Sequence, residues 1–249
     1  MRKVLIVMLL TLLWGIPLPA TSDSKGYSRS IRVEAELYRH RLWTAKSEFL
    51  VEAPPEKVWA VVLDQIDQWS EFVPRILFSR VVSPQKAELI VSSKTTSWKE
   101  VHKIVQGESL PLNERIQKSG QNEATYHKLL LMNLPWPIQN RWVLQKETDH
   151  FDPAKNAYNR RFVLEAGNLV VAEGYWRARP HPENPNWSLV YYENSYDPGF
   201  QVPELIFKPI VKKETRGVLE AVRKRAESQH EKPASPLQIR SQEGLRSKF

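Results

Sequence analysis

In the run Leu134-Pro135-Trp136-Pro137-Ile138-Gln139-Asn140-Arg141, two prolines flank a tryptophan between segments that have strand character. Proline fixes its own φ and disfavours the helical region for the preceding residue, so the backbone is held extended on both sides of Trp136. We therefore expect a rigid, apolar corner that leads into a strand at 140–147. By itself, this corner predicts only a strand, a turn and another strand.

The second half of the chain is rich in β-branched and aromatic residues, which are typical of strands. Turn residues separate the segments, as in Phe151-Asp152-Pro153 and Gly167-Asn168. Their short and even spacing predicts an antiparallel meander. The strand candidates are 124–132, 140–147, 158–165, 169–179 and 187–195.

The first half predicts a strand, two short helices and another strand. The first strand covers 46–52, and Pro54-Pro55 then opens a helix, because proline at the first helical turn loses no hydrogen bond. A second short helix at 68–73 precedes a strand at 75–82. The segment 31–41 is compatible with a helix or with an early strand.

Two further helices are predicted, one of them long. Ser97-Trp98-Lys99-Glu100 has the pattern of a capping box and predicts one helix within 83–123, with a short strand at 87–91 as an additional possibility. Apolar residues at helical spacing predict a long helix over 203–228. Pro209 is expected to kink that helix or to mark a late start.

We expect both ends of the chain to lie outside the folded domain. A short positive start and an apolar run at 4–14 are typical of a secretory signal peptide, cleaved after Ala20 or Ser22. An uncleaved anchor is the alternative, although the run is shorter than the roughly 20 residues of a membrane span. We predict export to the periplasm or secretion. The last residues, 229–249, lack apolar content and predict a disordered tail.

Composition limits the chemistry and the partners. The chain has no cysteine, which excludes disulfides, thiol nucleophiles and cysteine metal sites. Its net charge of +8 is compatible with nucleic acid or an anionic membrane, and export argues against nucleic acid. Positive charges cluster in Arg39-His40-Arg41 and in 208–225. They predict either a solvated face or peripheral contact with anionic lipid headgroups.

Four short segments, taken in order and spacing, carry a family resemblance. They are Val51-Glu52-Ala53-Pro54-Pro55-Glu56-Lys57-Val58-Trp59, the proline corner at 134–141, Ala172-Glu173-Gly174-Tyr175-Trp176-Arg177, and Asn194-Ser195-Tyr196-Asp197-Pro198-Gly199. Over 49–227 the chain resembles the START and polyketide-cyclase-like (SRPBCC) superfamily of lipid-binding domains. The resemblance implies an α+β helix-grip fold, in which a curved antiparallel sheet of about seven strands wraps around a long C-terminal helix. Two short helices follow the first strand, and a cavity separates sheet and helix.

The sequence departs from the family pattern in two places. The segment 84–122 is longer than the usual connection, and Trp142 stands where the family commonly has an acidic residue. The predicted organisation is a signal peptide at 1–22, a lead-in at 23–43, a START-like domain at 44–228 with an insertion at 84–122, and a tail at 229–249.

No segment carries a recognisable catalytic or metal motif. The six histidines are scattered without i, i+4 metal spacing, and no GxSxG elbow or Gly-rich phosphate loop occurs. Asp64, Asp67 and Glu71 lie on the first helices, where we expect solvent-facing carboxylates rather than a catalytic pair. We predict no catalytic residue, no metal and no cofactor.

Aromatic and apolar side chains are the positive signal for a ligand site. The nine tryptophans and eight tyrosines either fill the core or face a cavity of the kind that holds small molecules. An inward polar side chain would orient a ligand, because an unpaired buried polar group is costly. Alternation leaves the inward residue open within the pairs Arg160/Arg161, Tyr175/Trp176 and Tyr191/Tyr192. The predicted ligand-binding residues are Tyr126, Trp136, Trp142, Arg161, Phe162, Glu173, Tyr175, Tyr191, Ile206 and Ile210.

The leading functional hypothesis is an exported, non-enzymatic protein that holds a lipid or another hydrophobic small molecule, with lipid transfer as one use. An enzyme of the cyclase or dehydratase type, acting on a polyketide-like substrate, is the alternative. It requires an acid–base pair inside the cavity, for which Glu173 with an inward arginine or histidine is the candidate. A structural or protein-interaction module with a vestigial cavity is the third possibility.

Overall fold

The computed structural model describes residues 28–63, 65–108, 110–118, 120–136, 138 and 140–228. The predicted signal peptide at 1–22 and the predicted tail at 229–249 lie outside the described residues. In the described part of the chain, none of the helices combines the length and the apolar character that crossing a bilayer requires.

Strands and helices alternate in the first half, and strands dominate the second. The first half contains β1 (Glu34–Arg39), β2 (Leu42–Val51), α1 (Pro55–Val62), α2 (Trp69–Phe72), β3 (Ile76–Val82), α3 (Pro84–Ser93), α4 (Trp98–Val105) and α5 (Leu112–Arg115). The second contains β4 (Gln117–Lys118), β5 (Glu123–Asn133), β6 (Asn140–Asp152), β7 (Ala157–Gly167), β8 (Val171–Pro180), β9 (Ser188–Asp197) and α6 (Glu204–Ser228).

The strands form one antiparallel sheet in the order β1-β2-β9-β8-β7-β6-β5-β3, with β4 paired to β5. The expected antiparallel meander is present from β5 to β9, and β2, the first long strand, pairs with β9, the last. Nine strands are described rather than about seven, because 31–41 supplies β1 and the short β4 is added. The sheet wraps around α6, so the predicted α+β helix-grip fold is confirmed.

The long helix runs through Pro209, which lies in its second turn. A buried stripe faces the sheet at helical spacing and includes Phe207, Val211, Leu219 and Val222. Together with α1, this stripe covers one face of the sheet, which we call the concave face. The helix is therefore held by the burial of one apolar side along most of its length.

The insertion folds as helices and covers the opposite, convex face. The predicted helix at Trp98 is α4, but the optional strand at 87–91 is wrong, because these residues lie within α3. Pro84 starts α3, and Ala87 and Ile90 recur at helical spacing on its buried side. The expected capping box does not form through the Ser97 side chain, and the hydroxyl of Thr95 donates to Glu100 Oε2 at 2.5 Å instead.

The sheet thus has apolar cores on both faces. On the concave face, Val143 and Phe162 join residues of α1 and α6 in one cluster. On the convex face, Trp142 and Leu144 join residues of α3 and α4 in a second cluster. Neighbouring residues of β6 therefore belong to different cores, as the two-residue period of a strand requires.

Candidate ligand-binding cavity

A cavity of about 160 Å³ lies between the concave face of the sheet and α6. Its walls come from each of the central strands, through residues such as Leu130, Val143 and Ala172, and from Val211 on α6. An engineered apolar cavity of about 150 Å³ takes up benzene, so this volume suits one ring or a short chain.

Close backbone approach shapes one wall of this cavity. A Cβ atom on Gly174 would lie 2.2 Å from the carbonyl oxygen of Glu193 and 2.4 Å from the Phe162 ring. Only glycine therefore lets the Phe162 ring come this close to β8 while it lines the cavity. This accounts for the glycine at position 174, within the Ala172–Arg177 segment that carries part of the family resemblance.

The proline corner forms part of the cavity mouth. Leu134, Pro135 and Ile138 line the cavity, while the intervening Trp136 is 72% exposed. The antiparallel order places this corner, the β7–β8 turn and the start of α6 at the same edge of the sheet. Each of the other two also exposes apolar side chains, namely Val170 in the turn and Leu205, which is 88% exposed, on the helix.

The inner end of the cavity carries a buried cluster of charges. Arg160 has no exposed side-chain surface, and its Nε and Nη2 donate to the two carboxylate oxygens of Asp149 at 2.7 and 2.9 Å. Its Nη1 lies 3.1 Å from Glu147 Oε2 and donates to the Val62 carbonyl oxygen at 3.2 Å. The guanidinium therefore has protein partners on every nitrogen.

Two further side chains complete this cluster. Tyr126 donates its hydroxyl to Glu147 Oε2 at 2.7 Å, and the Lys128 ammonium pairs with Glu147 Oε1. The Lys128 Nζ also lies 4.7 Å from the centre of the Trp69 ring. Lys128 lines the cavity, so the cluster and the apolar walls form one continuous site.

Burial and pairing shift the pKa values of the acids in opposite directions. Burial alone raises the pKa of Glu147, but Arg160 and Lys128 outweigh it and hold that pKa below its ordinary value. Burial raises the pKa of Asp149, and Arg160 offsets only part of this effect. Burial lowers the pKa of Lys128, and Glu147 restores only part of it.

The predicted site residues divide between the two faces of the sheet. Phe162 and Ile210 line the cavity, and Tyr126 lies on the same face within the charge cluster. Trp136 is at the mouth, and Ile206 is exposed one turn before Ile210. The structure does not bring the remaining five, which are Trp142, Arg161, Glu173, Tyr175 and Tyr191, to the cavity.

Strand alternation explains these five placements. The sequence left the inward residue open in three consecutive pairs, Arg160/Arg161, Tyr175/Trp176 and Tyr191/Tyr192. The residues that face inward are Arg160, Trp176 and Tyr192. Glu173 is exposed on the outer face. A shift of one residue reverses the face of every side chain, so each of these predictions is displaced by one position.

The expected inward orientation of Trp142 is also corrected. Its indole Nε1 donates to the Thr96 carbonyl oxygen at 2.9 Å, and its ring joins the convex cluster with Val101 and Val105. The departure from the family pattern at this position therefore coincides with the insertion that the tryptophan anchors. No group of three acidic or histidine side chains suitable for a metal occurs within the described residues.

The sequence-based prediction missed Lys128, Glu147 and Asp149. Charged residues on strands normally indicate a solvent-exposed face, so nothing marked these as buried. A signal was available in the pairing: Lys128 and Glu147 lie two register positions apart on β5 and β6, and Asp149 pairs directly with Arg160 on β7. Opposite charges at facing positions of adjacent strands indicate mutual compensation.

Comparisons with known families and solved structures find matches to this fold. A family model described as "Polyketide cyclase / dehydrase and lipid transport" matches residues 51–223. No curated protein matches the sequence. Human STARD10 is similar in structure, with a TM-score of 0.54 and 12% identity over 89% of this chain and 76% of that one.

Two other solved structures are similar at lower scores. The Zhui aromatase/cyclase from Streptomyces sp. R1128 has a TM-score of 0.44 and 14% identity over 76% of this chain and 95% of its own. Human StAR-related lipid transfer protein 5 has a TM-score of 0.48 and 7% identity over 80% and 88%. The likeness to STARD10 shows a shared fold, and it does not extend to a ligand.

Proposed function

The chain belongs to the polyketide cyclase / dehydrase and lipid transport family, and on that premise we propose that it holds a lipid or another hydrophobic small molecule between the sheet and α6. The family description covers a binding and a chemical use of the same fold. The observation that carries the proposal is the apolar cavity itself, which is walled by six strands and the long helix. Small-molecule sites are concave and mostly apolar, with a few polar groups that fix orientation.

The test is native mass spectrometry, combined with lipid extraction, on the full chain purified from its own host. We expect a mass above that of the polypeptide, and a hydrophobic compound in the extract. A protein that carries nothing and binds no hydrophobic ligand after delipidation would contradict the proposal. The same spectrum also tests the proposed export, because cleavage of the signal peptide after Ala20 or Ser22 lowers the mass of the polypeptide.

A cyclase or dehydratase is the second candidate, and the titratable Lys128 in the cavity favours it. Glu173 does not serve this candidate, because it lies on the outer face. Each acid of the inner cluster is already paired with Arg160 or Lys128, which suits a fixed electrostatic environment better than proton transfer. Recovery of an added compound with both its mass and its chromatographic retention unchanged supports the non-enzymatic proposal, because cyclisation without loss of water alters retention but not mass. Capture of a protein partner from envelope extract supports an interaction module.

We also propose that the cavity mouth contacts an anionic membrane while ligand is exchanged. The mouth exposes Trp136 and Leu205, and the β1–β2 hairpin at the same edge carries the exposed Arg39. Apolar side chains at a surface rimmed by basic ones suit insertion among anionic headgroups.

Replacing Trp136 and Leu205 together with serine is expected to lower partitioning to phosphatidylserine vesicles about tenfold or more, because about 1.4 kcal/mol of lost apolar burial is a factor of ten. Vesicle co-sedimentation measures the partition coefficient. Leu89→Ser is the matched control, because Leu89 is 57% exposed on α3 at the convex face. Equal losses in the two proteins would contradict docking through the mouth.

A further inference from the structure

We propose that the Lys128 ammonium donates a hydrogen bond to a neutral acceptor, such as an ester or ketone carbonyl, at the end of the ligand that lies deepest in the cavity. This inference rests on the proposed function and names the class of molecule that the cavity selects. It predicts that an ester or ketone binds better than a carboxylate of the same length.

Lys128 is a cavity residue with unused donors. Its side chain is 4% exposed, and it lines the cavity between the rings of Trp69 and Phe162. An ammonium group has three donors, and among the described contacts its polar partner is Glu147. A ligand acceptor that reaches the inner end of the cavity therefore meets donors for which the described contacts show no second polar partner.

The other charged groups of the cluster are occupied by one another. Every nitrogen of the Arg160 guanidinium has a protein partner, and both oxygens of Asp149 accept from it. Glu147 accepts from Tyr126 and pairs with Lys128. Lys128 is the member of the cluster that both faces the cavity and retains donor capacity.

The charge balance of the cluster decides what kind of acceptor fits. Lys128 and Arg160 are compensated by Glu147 and Asp149, so the four groups sum to zero. A ligand carboxylate would add one uncompensated negative charge to a buried site, which is costly. A carbonyl oxygen accepts from the ammonium without adding charge. Gln145 and Asn194, which also line the cavity, are uncharged, and the lining residues Arg75 and Glu214 form an ion pair at 3.4 Å, so this balance is unchanged.

Isothermal titration calorimetry with methyl octanoate, octanoate and octane at neutral pH tests the inference on the unaltered protein. We expect methyl octanoate to bind at least tenfold more tightly than octanoate, and more tightly than octane. Tighter binding of octanoate, or equal binding of all three, overturns the inference while leaving the proposed function standing. If none of the three binds, the proposed function fails with it.

Two variants assign the preference to this cluster. Glu147→Gln leaves Asp149 as the one acid that compensates the charges of Lys128 and Arg160. The affinity for octanoate should therefore rise tenfold or more, while the affinity for octane is unchanged. The charge-balanced Lys128→Met/Glu147→Gln protein should still bind octane but lose its preference for methyl octanoate over octane. Retention of that preference in the double variant contradicts a role for Lys128. Thermal melts establish that each variant is folded before titration.

Discussion

Replacing Arg160 with methionine is expected to lower the free energy of unfolding by about 3–5 kcal/mol, because the change leaves buried carboxylates without their main partner. Arg160 is fully buried and is the group that joins Glu147 to Asp149. Urea denaturation followed by circular dichroism measures the loss. Arg177→Met is the matched control, because Arg177 is exposed on the outer face, and we expect a change of about 0.5 kcal/mol or less.

Two observations distinguish charge from packing as the cause of this loss. The double variant Asp149→Asn/Arg160→Met restores neutrality beside the remaining Lys128–Glu147 pair, so it should regain part of the lost stability. Removing Arg160 also raises the folded-state pKa of both acids, so the folded variant binds more protons and the loss should be smaller at pH 4 than at pH 7. A loss that is independent of pH would point to packing alone.

Replacing Ala172 with phenylalanine is expected to abolish ligand binding while keeping the fold. Ala172 is a buried residue of β8 that lines the cavity, and the cavity holds roughly the volume of one benzene ring. The added phenyl group therefore occupies the space that the ligand needs. We expect affinity for a hydrophobic ligand to fall at least about a hundredfold, while stability changes by no more than about 1–3 kcal/mol.

Ala154→Phe provides the same substitution outside the cavity, at an exposed position of the β6–β7 turn. Its affinity should equal that of the unaltered protein. Calorimetric titration with methyl octanoate, together with a thermal melt, compares the two variants. A folded Ala172→Phe protein that retains full affinity would move the binding site away from this cavity.

The fold could be predicted from the sequence because its elements carry local signals. The prolines at Pro54-Pro55 and around Trp136 fix where a helix begins and where a strand turns, and these signals do not depend on tertiary packing. The order of elements then leaves few arrangements, and the family resemblance selects one. β1 stayed ambiguous because its strand character depends on pairing with β2.

The site was predictable only in part, and the reason is the second apolar core. In β6, the consecutive residues Trp142, Val143 and Leu144 are all buried, so hydrophobicity does not distinguish the inner face from the outer one. The helices of the insertion cause this pattern by covering the convex face. Without the inner face, alternation could not choose between Arg160 and Arg161, and the prediction took the outer residue.

Apolar packing on both faces of the sheet also has a consequence for the kinetics of exchange. A change in sheet curvature would disturb the concave core and, through Trp142, the convex core that α3 and α4 complete. Helix α6 packs on the concave side alone, and Gly217 brings little side-chain contact where it meets Pro74. Admission of a molecule larger than about 160 Å³ is therefore expected to shift the first turn of α6 at the mouth, where Leu205 is exposed, rather than to change the curvature of the sheet. The residence time of a ligand should then depend on how often this end of α6 moves away from the proline corner.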